Sequence, residues 1–80
     1  MTKEEILEGL KEVFSSVKPK LDLSKVTMES NLVRDLGVDS LSMLLLSLAS
    51  EQKFNMLFQT QKPFQTVGEV VDYISESINK

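Results

Sequence analysis

The sequence predicts an all-α fold, a bundle of three main helices with a long structured loop after the first, and three observations carry that prediction. Segments 3–17 and 67–78 repeat apolar residues with the period of a helix that buries one face. A third segment, from about Ser40 to Lys53, sets Leu41, Leu44, Leu45 and Leu48 at helical spacing. No segment alternates convincingly with period two, so no sheet is expected.

The first helix, 3–17, places Ile6, Leu7, Leu10, Val13, Phe14 and Val17 on one face. Thr2 followed by Glu5 fits a reciprocal capping box, and Pro19 stops the helix. Gly9 falls on the polar side and weakens the helix slightly. The connection 18–39 is long for a compact domain, yet Leu21, Leu23, Val26, Met28, Leu32, Val33, Leu36 and Val38 would pin it across the bundle. A single helical turn is expected around Asn31–Asp35, ended by Gly37 in a left-handed conformation.

The second helix begins at Ser40 with Asp39 as its N-cap. Leu41, Leu44, Leu45, Leu48 and, less regularly, Phe54 supply its core stripe, with Met43 and Leu46 off that stripe. It is therefore apolar over more of its circumference than one buried face requires. Residues 55–65 form a second connection, interrupted by Pro63, that could hold one short extra helix. In the last helix Thr66 and Glu69 make a second capping box, and Val67, Val70, Val71, Ile74 and Ile78 form the inner face.

Composition narrows the function. Eighty residues make one domain, 1–80, which buries only about 60% of its unfolded surface. There is no cysteine and no histidine. The commonest nucleophile, general base and metal ligands are therefore missing, and a chain this short has little room for a water-excluding cleft. Nine basic residues are scattered against twelve acidic ones, a net charge of −3, so the basic stripe of a nucleic-acid binder is lacking. No apolar run approaches the roughly 20 residues that span a bilayer, and acidic residues stand where a signal peptide needs an apolar core. A soluble, cytoplasmic, monomeric protein without membrane insertion is expected.

One motif carries chemistry. Residues 35–41 read Asp-Leu-Gly-Val-Asp-Ser-Leu at the junction of the long loop with the second helix. A serine at the first position of a helix is usually exposed. The unpaired N–H groups and positive end of the dipole there favour a bound phosphate. Gly37 permits the sharp turn that presents Asp39 and Ser40. Asp35 and Asp39 could instead form an acid/base pair or hold a divalent ion, but capping and partner contact fit them better.

With this motif, the helical order, Phe54, and Thr66-Val67-Gly68-Glu69 leading into Val71-Asp72-Tyr73-Ile74, the whole chain resembles the acyl carrier protein family. The resemblance implies that a phosphopantetheinyl transferase attaches 4′-phosphopantetheine from coenzyme A to Ser40. Its thiol would then carry acyl groups to the loading and using enzymes of fatty-acid, polyketide or related synthesis, the carrier itself being non-catalytic. Asp35, Gly37, Asp39 and Leu41, around the site, would take part in partner recognition. Met28, Met43 and Met56 would be adaptable filler in a core that an acyl chain could enter.

The sequence departs from the family in its second helix, which is typically acidic. Ser42 stands where Asp is common and Leu45 where Glu is common, leaving only Glu51 acidic before Phe54, offset by Lys53. The segment 55–62 is nearly uncharged and about two residues shorter than usual. These departures point to a specialised carrier that meets its partners through an exposed apolar patch at Met43, Leu45 and Leu46. A peptidyl or aminoacyl carrier is the near alternative, disfavoured because those resemble LGGxS rather than DLGxDS. A cofactor-free adaptor binding through the second helix is the alternative of a different class, and a small hydrolase ranks last.

Overall fold

The computed structural model describes residues 1–58 and 64–79. Helix α1 spans Lys3–Val17, α2 Ser40–Phe54 and α3 Val67–Ile78. The described residues contain no strand, only a single antiparallel bridge between Asn31 and Thr66. None of their helices is long and apolar enough to cross a membrane.

Both expected capping boxes are formed. Thr2 Oγ1 accepts the Glu5 N–H at 3.2 Å while Glu5 Oε1 accepts the Thr2 N–H at 2.8 Å, and Thr66 and Glu69 repeat the exchange at α3. Ile6, Leu10, Val13 and Phe14 of α1 meet Val67, Val70, Val71 and Ile74 of α3 in one buried core. Helix α1 is the central element, packing closely on both α2 and α3, which approach each other less.

That centrality corrects the reading of Gly9, which is buried and not on a polar side. Helix α1 must bury a second flank against α2. A Cβ on Gly9 would lie 2.6 Å from Phe54 Cζ, so only glycine fits under the ring.

The 18–39 connection is ordered by local bonds and then stitched to α3. Asp22 accepts from the Ser24 N–H and hydroxyl, starting a 3₁₀ turn at Leu23–Lys25 that the sequence did not announce. The turn expected near Asn31–Asp35 is present: Asn31 O accepts from Asp35 N and Leu36 N, and the chain leaves it through Gly37 at φ +66°. Three backbone bonds tie this loop to the entry of α3, Leu32 N–H to Gln65 O, Val67 N–H to Ser30 O, and Gly68 N–H to Met28 O. Val26, Leu32, Leu36 and Val38 are buried as anchors. Val33, expected among them, is exposed, because the turn's short helical pitch puts it on the opposite side from Leu32 and Leu36.

The largest correction concerns the face of α2. The stripe expected inside, Leu41, Leu44, Leu45 and Leu48, is 66%, 56%, 45% and 50% exposed. Leu46, Ser50 and Phe54 are buried instead, with Met43 half-buried. Phe54 sets this phase. Once its ring sits over Gly9, the residues four and eight positions earlier, Ser50 and Leu46, must face inward with it.

Helix α2 ends at Asn55 in the left-handed region, φ +53°. Residues 56–58 and 64–65 are not helical, and the rest of the expected short helix, with Pro63, lies outside the described residues. Phe58 stacks on Tyr73 at 5.2 Å between centroids, and Phe64 meets both rings edge-on.

Candidate attachment site at the start of helix α2

Ser40 is the first residue of α2, and its side chain is exposed. Two constraints hold it there. Gly37, in the left-handed region, turns the chain out of the 31–36 turn, and Val38 is buried with its N–H bonded to Leu32 O at 2.8 Å. Asp39 then caps the helix, its Oδ1 accepting the Ser42 N–H at 2.8 Å. That bond from the Ser42 backbone holds the Asp39 carboxyl below the usual aspartate range, with a smaller contribution from the Lys18 ammonium.

Neither nearby aspartate is arranged as a proton-transfer pair. Asp39 is committed to the cap, and Asp35 Oδ2 accepts the Asn31 N–H at 2.7 Å, closing the turn from within. No group of three or more acidic residues among the described residues could hold a metal ion.

Lys18 is a residue that the sequence reading passed over. Its Nζ lies 3.8 Å from where a Cβ on Gly37 would stand, so the first loop returns a cation to the turn before Ser40. Only the fold reveals this, because Lys18 sits far from the motif in sequence and belongs to no pattern of its own.

An apolar groove of about 620 Å³ opens beside Ser40, lined by Leu32, Val38, Met43, Leu44, Ser47 and Phe64. It runs along α2 between that helix and the loop. Of the expected partner residues, Leu41 and Leu45 are exposed and Met43 lines the groove. Leu46 was expected on the surface and is buried at 1% exposure, on the line that Phe54 turns inward.

No family model matches the chain. Curated relatives do. It is 40% identical over 79 residues to the acyl carrier protein of Acidothermus cellulolyticus, covering 96% of this chain and 93% of that protein. The acyl carrier protein of Clostridium perfringens is 36% identical over 77 residues, 94% of this chain and the whole of that one. This chain belongs to the acyl carrier protein family. A meromycolate extension acyl carrier protein from Mycolicibacterium smegmatis is also similar, 38% identical over 77 residues, 94% of this chain and 77% of that protein.

The residues around Ser40 fit the phosphopantetheine of an acyl carrier protein. Its phosphate would meet the unpaired N–H groups of the first turn of α2, with the Lys18 charge on the same side. The groove would offer such an arm an apolar surface beginning beside Ser40.

Proposed function

We propose that this protein carries acyl groups as thioesters on a 4′-phosphopantetheine arm attached to Ser40, and that the chemistry on those groups is done by its partners. The observation that carries the reading is an exposed serine hydroxyl at the head of α2 with an apolar groove opening beside it, in a chain of this family.

In loading, Ser40 Oγ displaces the nucleotide half of coenzyme A. An Oγ–phosphorus bond forms, the pyrophosphate P–O bond breaks, and the serine proton passes to a base of the phosphopantetheinyl transferase. The arm supplies the terminal thiol that a cysteine-free chain lacks. This chain's residues do the positioning: the Asp39 cap and Gly37 turn hold Ser40 out of the core, and Lys18 offsets the phosphodiester charge. An acyl chain resting in the groove gains about 0.8 kcal/mol per methylene buried.

Partner enzymes dock on the outer face of α2, where Leu41, Leu44, Leu45 and Leu48 rise beside the attachment point. That face bears no acidic or basic side chain from Ser40 to Ser50. Farther along, Glu51 accepts the Phe58 N–H and Lys53 pairs with Glu12. The complementary partner surface is therefore apolar, and docking relies little on charge steering. Such a protein serves as a cytoplasmic, monomeric carrier for a narrow set of synthases and transferases.

The test is an intact mass measurement after incubation with coenzyme A and a promiscuous phosphopantetheinyl transferase. Wild type should gain one phosphopantetheine and Ser40→Ala none. An unmodified wild type would instead favour a cofactor-free adaptor.

A further inference from the structure

Ser50 stands out from every other buried polar group. It is fully buried at 0% exposure, and among the described residues its Oγ is the only buried side-chain polar atom without a hydrogen-bond partner. Buried serines in helices commonly bond back to the carbonyl one turn earlier. Ser47 does so, its Oγ donating to Met43 O at 2.9 Å, and Ser50 does not. An unmade hydrogen bond in an apolar interior is a standing cost, and the helical neighbours on Ser50's line, Leu46 and Phe54, are hydrophobic.

Its position relates this hydroxyl to the groove. Met43 and Ser47 line the groove that begins at Ser40, and Ser50 follows on the same side of α2, one turn past Ser47. It lies about 15 Å from Ser40 along the helix axis. Met43, half-buried between groove and core, is an unbranched side chain able to re-pack around a guest. A saturated hydrocarbon chain that advanced inward from the groove would reach Ser50 and leave its hydroxyl unpaired. A chain bearing a carbonyl or hydroxyl at the right carbon would pair it.

Building on the carrier reading, we propose that the cargo of this protein is an oxygenated acyl group, a keto- or hydroxyacyl chain, whose oxygen substituent hydrogen-bonds to Ser50 inside the bundle. Ser50 then acts as a specificity determinant for what the interior retains, without touching the thioester.

The experiment uses non-hydrolysable amide analogues of acyl-coenzyme A, from which a promiscuous transferase moves the acylated phosphopantetheine onto Ser40 and releases the nucleotide half. One chain is saturated, and the others have the same length with a keto group at successive carbons. Loading is verified by intact mass before the melting temperature of each form is read, for wild type and Ser50→Ala. In wild type at least one keto chain should raise Tm above the saturated chain by about 4–8 °C, the shift of one net hydrogen bond in a domain this small. That advantage should vanish in Ser50→Ala. Loaded wild type with no keto chain better than the saturated one overturns the inference, as does an advantage that survives Ser50→Ala. Failure of wild type to load at all overturns the carrier reading, and this inference with it.

Discussion

The ring of Phe54 fills the space that a side chain on Gly9 would need, its Cζ 2.6 Å from the ideal Cβ position. The contact joins the middle of α1 to the last residue of α2 and decides which side of α2 faces inward. Replacing a helical glycine by alanine ordinarily gains up to about 1 kcal/mol. Here the sign should reverse. Gly9→Ala forces a buried ring aside, an overpacking cost of about 1–3 kcal/mol, and the net expectation is a loss of roughly 1 kcal/mol by denaturant unfolding. Gly9→Ala combined with Phe54→Leu should be less destabilised than the two single changes added together, because the smaller side chain relieves the clash.

Ser50→Ala should stabilise the unloaded protein. It removes the one buried hydroxyl without a partner among the described residues and replaces serine with a better helix former. A gain of about 1 kcal/mol is expected, read as a Tm rise of several degrees. An unchanged Tm would mean that the hydroxyl is satisfied by water in solution.

Gly37→Ala should cost about 1–2 kcal/mol, because φ +66° is a region that alanine avoids. The turn before Ser40 would be displaced with it. Phosphopantetheine transfer to Ser40 should slow by more than the small rise in unfolded protein explains, which a comparison of initial transfer rates with Tm will show.

Leu45→Glu and Leu48→Glu should leave folding within about 0.5 kcal/mol of wild type, since both side chains are about half exposed. Each should lower the kcat/KM of a partner enzyme for the loaded carrier by about tenfold, through lost apolar burial and a charge placed at the contact. Wild-type turnover should change little between low and high salt, unlike a charge-steered encounter. A steep salt dependence would contradict the apolar docking face.

Acid should destabilise the protein through its caps. The Thr2 N–H bond lowers the Glu5 pKa, the Ser24 hydroxyl and N–H lower that of Asp22, and the Ser42 N–H lowers that of Asp39. A carboxyl with a depressed folded-state pKa contributes stability that is complete above its unfolded value, near pH 4, and is lost as pH falls through the folded value. Without histidine, no side chain has an ordinary pKa between pH 5 and 8. Tm should therefore be nearly flat across that window and fall below about pH 4. Asp39→Asn keeps a capping oxygen but does not titrate, so its acid loss should be shallower.

The outer helices were legible because local and global signals agree there. Thr2 with Glu5 and Thr66 with Glu69 mark where α1 and α3 begin, and their apolar stripes face the core. The start of α2 and the exposure of Ser40 were equally readable, since Asp39 and Gly37 act on their immediate neighbours. The orientation of α2 was not. A stripe of leucines at helical spacing is the ordinary mark of a buried face, and here it lies outside while a serine lies within. Periodicity reports that one face differs from another, and it cannot say which is turned to solvent when a surface is itself apolar. Gly9 and Lys18 escaped for a related reason: the importance of each comes from a residue distant in sequence, Phe54 in one case and Gly37 in the other.

The three backbone bonds from Leu32, Val67 and Gly68 fasten the first loop to α3. Among the described residues, no backbone hydrogen bond joins the body of α2 to another helix. Side-chain packing, Phe54 over Gly9 above all, and the Lys53–Glu12 ion pair are therefore what hold α2 to α1. Swung outward about Val38 and Asp39, α2 would exchange side-chain contacts alone, leaving the main-chain ladder of every helix whole.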